Sequence, residues 1–159
     1  MTLITIGLGS MKRKAIVFDI DSTILDSEFI IREIHELGLK GEAKWEYFNE
    51  HCNGDRVEVI DETLRLLNLL WINGVTIIFS TARNKKCYDA TVEKFRKEGI
   101  YFDKLLMRKK DDLRTADEVK REHIEIVKHM DYDIIAFIDD DLANCQMAKE
   151  LGILSLRRV

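Results

Sequence analysis

An α/β fold is predicted here: a Rossmann-like parallel sheet of about five strands flanked by helices, with a small helical cap inserted after the first strand. Three observations carry it. Short uncharged runs rich in β-branched residues alternate with amphipathic segments whose apolar positions recur at helical spacing. Several of those runs end in acids, hydroxyls or an arginine, as strands do where a sheet opens onto a ligand crevice. The length, 159 residues with 46% hydrophobic and 34% charged, suits one substantial core plus a small insertion and leaves no room for a second core.

The first strand is the run Ala15, Ile16, Val17, Phe18, which leads into Asp19, Ile20, Asp21, Ser22 and Thr23. Residues two apart on extended chain point the same way, so Asp19 and Asp21 can converge. Paired carboxylates repel and cost desolvation unless a cation lies between them, which points to a divalent cation, Mg2+ by the hardness of the oxygen ligands, with one Asp free to act as a nucleophile. The plainer reading is an Asp pair that ends a strand and caps a helix. A second cluster of the same design argues against it: Ile134, Ile135, Ala136, Phe137 and Ile138 run into Asp139, Asp140 and Asp141.

Asp26 or Ser27 can cap a helix carrying Phe29, Ile30, Ile31, Ile34 and Leu37 and stopped by Gly38. A shorter helix follows, with Trp45 and Phe48 three apart. With no strand between them, these helices are expected to form a cap over about residues 26–56. The two aromatics could stack on unpaired bases, but packing inside the cap is the favoured explanation. Residues 57–73 are expected to form one amphipathic helix with Val59, Ile60, Leu64, Leu67, Leu70 and Trp71 on its apolar face, ended by Gly74.

The next strand, residues 75–80, is followed by Thr81, Ala82 and Arg83. A hydroxyl and a guanidinium delivered there can each donate to a phosphate oxygen, and Ser80 at the strand's end joins Arg83 as a candidate substrate contact. A helix over residues 88–97, closed by Gly99, leads to a short strand over 104–107. The run from Arg108 to Lys120, dense in charge of both signs, reads as a solvated loop feeding a helix through His123, Ile126 and Val127. A helix over 142–151 and a last strand over 153–156 complete the sheet. Residues 1–10 stand apart as an added or disordered leader, with a single domain expected over 11–159.

Composition excludes several classes. No apolar run approaches the roughly 20 residues of a membrane span. Cys52, Cys87 and Cys145 are odd in number and form no CxxC pair, so reduced thiols and a cytoplasmic setting are expected rather than disulfides or zinc. A net charge of -4 gives no global attraction for nucleic acid, so any polyanion contact must be local. The pattern GxxxxGK[ST] is absent, and with it a nucleoside-triphosphate kinase module in this sequence.

At one sheet edge these strand ends would supply a phosphoryl-transfer site. Asp19-x-Asp21-x-Thr23, a strand ending in Thr81, then a Lys and the pair Asp139 and Asp140, in that order, resembles the haloacid dehalogenase-like phosphohydrolases over nearly the whole chain from Lys14 onward. Within that family, Thr81-Ala82-Arg83 together with Met107, Arg108, Lys109, Asp112, Arg114, Asp117, Val119 and Lys120 resembles the 3′-phosphatase domain of bacteriophage polynucleotide kinase-phosphatases. Two positions depart from that pattern: Ser22 stands in place of a glycine and Asp141 in place of an arginine.

The resemblance implies roles. Asp19 would attack phosphorus, Asp21 would protonate the leaving hydroxyl and then activate water, and Thr81 and Lys120 would bind phosphoryl oxygens. Asp19, the Asp21 backbone carbonyl and Asp140 would hold Mg2+ with Asp139 close by. Arg83 and Arg108 would favour a substrate with further phosphodiester charge. The leading expectation is therefore a Mg2+-dependent phosphatase acting on 3′-phosphates of DNA or RNA ends. A small-molecule phosphatase, such as a nucleoside monophosphatase, and a non-catalytic partner of a separate kinase stand as alternatives.

Overall fold

The computed structural model describes residues 11–159, so the expectation for residues 1–10 lies outside the described residues. Five strands, β1 (Arg13–Phe18), β4 (Thr76–Asn84), β5 (Lys104–Arg108), β6 (Tyr132–Asp139) and β7 (Ser155–Arg157), form one parallel sheet in the order β5-β4-β1-β6-β7. The chain builds outward from β1 to β4 and β5 on one side, then crosses to β6 and β7 on the other. Such a reversal next to the first strand opens a crevice beyond its carboxyl end.

Alternation along β1 divides the core. Ile16 and Phe18 face one layer, where they pack with Leu67 of α3 (Asp61–Ile72) and Phe95 of α4 (Tyr88–Glu98). Ala15 and Val17 face the other, against Ile124 and Val127 of α5 (Ala116–His129) and Met147 and Ala148 of α6 (Leu142–Glu150). Four phenylalanines, Phe18, Phe79, Phe95 and Phe137, are fully buried across the two layers, each removing enough apolar surface to stabilise the fold by roughly 2–3 kcal/mol.

The cap is α1 (Glu28–Glu36) and α2 (Gly41–His51), and its Ile30, Ile34 and Phe48 share a cluster with Phe18 of the sheet. It is not purely helical. β2 (Leu25–Asp26) pairs antiparallel with β3 (Glu58–Val59), tying the two ends of the insertion together. The helix expected from residue 57 accordingly begins only at Asp61: Val57 and Val59 suit extended chain, and Asp61 and Glu62 supply the negative charge that a helix N-terminus favours. Gly74, at φ 76, ends that helix as expected. Trp71 turns out of the core and stacks on Tyr101 with ring centroids 4.6 Å apart.

β4 also runs further than its apolar stretch. The register with β5 pairs Thr81 with Met107 but then Asn84 with Arg108, so Ala82 and Arg83 form a bulge in the strand. A bulge adds twist and re-aims side chains, and here it matters for the position of Arg83. Among the described residues, no helix is long and apolar enough to cross a membrane.

Candidate active site

Strand ends assemble the site. Asp19 follows β1, hydrogen-bonded through its backbone N–H to Ile138 of β6 at 2.8 Å. The chain then turns sharply, with the backbone N–H groups of Thr23, Ile24 and Leu25 all donating to the Ile20 carbonyl. Ser22 takes φ 58, a left-handed conformation that explains why a glycine is the usual residue in the pattern it departs from. Arg158 braces the turn by donating to the Ser22 carbonyl at 2.8 Å.

Lys120, from the first turns of α5, is buried between two carboxylates: its ammonium is 2.6 Å from Asp19 Oδ1 and 2.6 Å from Asp139 Oδ2. Burial alone would lower the lysine pKa, and Asp19 and Asp139 outweigh it, so the ammonium is held charged. Burial pushes the Asp19 carboxyl well above the usual carboxylate range; Lys120 opposes that shift, while Asp139 and Asp21 add to it. Asp140 is shifted upward by burial and by Asp139.

Carboxylate oxygens of Asp19, Asp139 and Asp140 lie within 4.8 Å of one another. One ammonium against three carboxylates leaves two formal negative charges, the complement of a divalent cation. The donors are all hard oxygens, and Asn144, which donates to Asp139 Oδ1 at 3.1 Å, has a buried Oδ1 with no partner among the described residues. This set fits Mg2+. The Asp21 side chain is not part of it, so any contribution from Asp21 would come through its backbone carbonyl.

Asp21 is held instead by Arg83. The guanidinium donates from Nε to Asp21 Oδ2 at 2.8 Å and from Nη2 to Asp21 Oδ1 at 2.7 Å. Thr81 accepts the Arg83 backbone N–H on its Oγ1 at 3.1 Å and lines the cleft, its hydroxyl donating to no group among the described residues. Asp19, Asp21, Thr81, Arg83, Lys120 and Asp140 therefore line one cleft of about 240 Å3, roofed by Ile31, Trp45, Phe48 and Asn49 of the cap. Phe48 packs as expected, but Trp45 is 55% exposed and forms part of the cleft wall.

Two predicted positions, Ser80 and Arg108, lie elsewhere, and Asp141 lines the cleft but is engaged in capping a helix. Ser80 Oγ is buried against His123 Nδ1 at 2.9 Å, behind the cleft. Arg108 does not line the cleft: its guanidinium donates to the carbonyls of Ala82, Asp112 and Arg114, holding the loop before α5 against the β4 bulge. Asp141 caps α6, accepting the N–H groups of Ala143 and Asn144 at 2.8 and 3.1 Å. Helix capping thus accounts for one of the five acids, and for the one that departs from the phage-type pattern. Asn53, Thr91 and Asn144 were not singled out in the sequence. Only Asn144, in the first turn after an acid-ended strand, carried a local signal.

The profile of the HAD superfamily, subfamily IIIB (acid phosphatase), matches residues 3–155. No curated protein matches the chain. Among solved structures, a chain of the Pnkp1/Rnl/Hen1 RNA repair complex superposes with a TM-score of 0.76 at 19% identity, over 94% of this chain and 43% of that one. The Class C acid phosphatase from Bacillus anthracis gives a TM-score of 0.63 at 22% identity, over 91% and 63%. A haloacid dehalogenase-like hydrolase from Streptococcus pneumoniae gives 0.64 at 17%, over 91% and 84%. The chain spans less than half the length of the repair-complex chains it matches. At these identities the superpositions speak for the fold, and the sequence profile for the family. The acid-ended strands, the buried lysine between two carboxylates and the profile match together assign this chain to the HAD superfamily, subfamily IIIB, a phosphatase family.

Proposed function

We propose that this phosphatase is a Mg2+-dependent phosphomonoesterase that removes 3′-phosphates from polynucleotide ends through an aspartyl-phosphate. The observation that carries the chemistry is the convergence of Asp19, Asp21, Thr81 and Lys120 on one cleft. An Asp19 carboxylate oxygen attacks phosphorus as the ester P–O bond breaks, and Asp21 gives a proton to the departing oxygen. Asp21 then takes a proton from the water that attacks the aspartyl-phosphate, releasing inorganic phosphate and restoring Asp19. The Thr81 hydroxyl and the Lys120 ammonium orient the phosphoryl oxygens throughout. Mg2+ held by Asp19, Asp139 and Asp140 would offset charge on those oxygens when bound.

Cleft size supports a terminal phosphate on a larger molecule. At about 240 Å3 the cleft is smaller than the roughly 300–1,000 Å3 of sites that enclose a small ligand. A strand end would enter phosphate first and leave the rest of the chain outside. The likeness to a chain of an RNA repair complex is in keeping with a nucleic-acid end as substrate, and a separate kinase chain is the partner to seek. The three cysteines are buried and form no disulfide, in keeping with a cytoplasmic setting. One observation favours a nucleotide substrate as a second reading: the exposed Trp45 ring in the cleft wall could hold the base of a free nucleotide.

The test is phosphate release from a 3′-phosphorylated oligonucleotide compared with nucleoside monophosphates, with Mg2+. The proposal expects kcat/KM at least about tenfold higher for the oligonucleotide, a preference worth about 1.4 kcal/mol of transition-state binding. Equal or reversed preference transfers the assignment to the nucleotide reading. No release from either returns the chain to a non-catalytic role.

A further inference from the structure

All five N–H donors of Arg83 are used within the protein. Two hold Asp21 at both carboxylate oxygens, at 2.8 and 2.7 Å. The other three reach Asn53 Oδ1 at 2.7 Å, the Cys52 backbone carbonyl at 3.0 Å and Thr91 Oγ1 at 3.3 Å. Asn53 in turn donates to Thr91 Oγ1 at 3.3 Å. Cys52 and Asn53 follow α2 at the end of the cap, and Thr91 lies on α4 of the sheet layer.

We infer that Arg83 is a positioning residue that fixes the Asp21 carboxyl toward the leaving-group side of the cleft and ties that carboxyl to the C-terminal end of the cap. This rests on the phosphatase reading above and names a device within it. A guanidinium with five filled donors and 3% of its surface exposed has none to spare for a substrate phosphate. Its planar fork fixes the plane of the carboxyl it grips, which a lysine ammonium cannot do. One edge of Asp21 is held, while its side chain remains 22% exposed toward the cleft, where a leaving oxygen or a water would meet it. The β4 bulge is the local cause, since it turns Arg83 inward across the end of β1. The cap and the acid are thus mechanically one unit: displacing Cys52 or Asn53 removes the contacts that orient Arg83.

The experiment separates the two chemical ends of the reaction. Arg83→Lys keeps the charge and loses the fork, and Asn53→Ala loosens the tie from the cap side. Single-turnover release of the alcohol from a nucleotide phosphate ester, whose alkoxide needs a proton, should fall about 100-fold or more in Arg83→Lys, the size of a general-acid contribution. The nitrophenolate burst from 4-nitrophenyl phosphate, whose leaving group departs without a proton, should fall by less than about tenfold, with KM little changed for both. Asn53→Ala should show the same pattern more weakly and should not be additive with Arg83→Lys. Amide hydrogen exchange at Cys52 and Gly54 should quicken in both variants while the sheet stays protected.

Equal losses on both esters, or a raised KM with kcat intact, would overturn the inference, the second outcome making Arg83 a substrate contact. A wild type that turns over neither ester sinks the phosphatase reading instead. In that case the exchange measurement decides the tie alone, and unchanged protection at the cap end rejects it.

Discussion

Two buried cations serve the same cleft in different ways. Lys120 sits between Asp19 and Asp139, all three nearly or fully buried in the core and drawn from a helix and two central strands. Arg83 is equally buried but grips Asp21, which is partly exposed, and spends its remaining donors on the cap and α4. The lysine balances the charge of two buried carboxylates that would otherwise repel, at what the proposed reaction makes its attacking end. The arginine fixes the geometry of Asp21, which the proposed reaction places at the leaving end, where a proton would have to be delivered at a defined point. A compact ammonium suits the first task and a rigid fork the second.

Removing Lys120 should have the largest effect. Lys120→Met leaves two carboxylates buried together without their cation, and the expected cost is about 3–5 kcal/mol of stability, read as a lower urea midpoint. Turnover should fall by several powers of ten, to the same degree for activated and unactivated esters, because the attack on phosphorus is lost whatever the leaving group. A Lys120 variant sensitive to the leaving group, like the one expected for Arg83, would dissolve the contrast.

A smaller effect concerns how α5 holds Lys120 in place. His123, one turn further along, is hydrogen-bonded through its Nδ1 to Ser80 Oγ at 2.9 Å. Its pKa is pushed down to about 4, mainly by burial. Above pH 6.5 the ring is neutral folded or unfolded; below that, the unfolded chain takes up a proton that the folded protein resists, so stability falls with pH. On the order of 3 kcal/mol should be lost between about pH 6.5 and 4, and His123→Gln should flatten that part of the curve. Denaturant midpoints measured across that window check it, and an unchanged slope would detach His123 from the anchoring of α5.

What the sequence conveyed follows the same division. Asp19, Asp139 and Asp140 end regular strands, so apolar runs that end in acids suffice to find them, whereas Lys120 is reached only through the family resemblance: the charged run read as a solvated loop is, from Ala116, already the start of α5, which opens at a capping pair. Thr115 and Glu118, joined at 2.9 and 2.8 Å, are such a pair. Arg83 and Arg108 were visible as strand-end arginines, but not the direction of their side chains. A two-residue bulge and a loop that wraps on backbone carbonyls leave no periodic trace. The β2–β3 ribbon was hidden for a similar reason, because two-residue strands next to a strong helical pattern merge with it. Trp45 and Phe48 share a helical face in spacing, yet Phe48 is buried while Trp45 stays exposed in the cleft wall.

The central claim is that Asp19 carries the phosphoryl group. Borohydride reduces an acyl-phosphate to the alcohol, so turnover quenched with borohydride and followed by peptide mass spectrometry reads the residue directly. The account predicts homoserine at position 19 in the wild type during turnover, none in Asp19→Asn, and none at Asp21, Asp139 or Asp140. Active enzyme with no reduction at position 19, or with the alcohol at another of these acids, would contradict it.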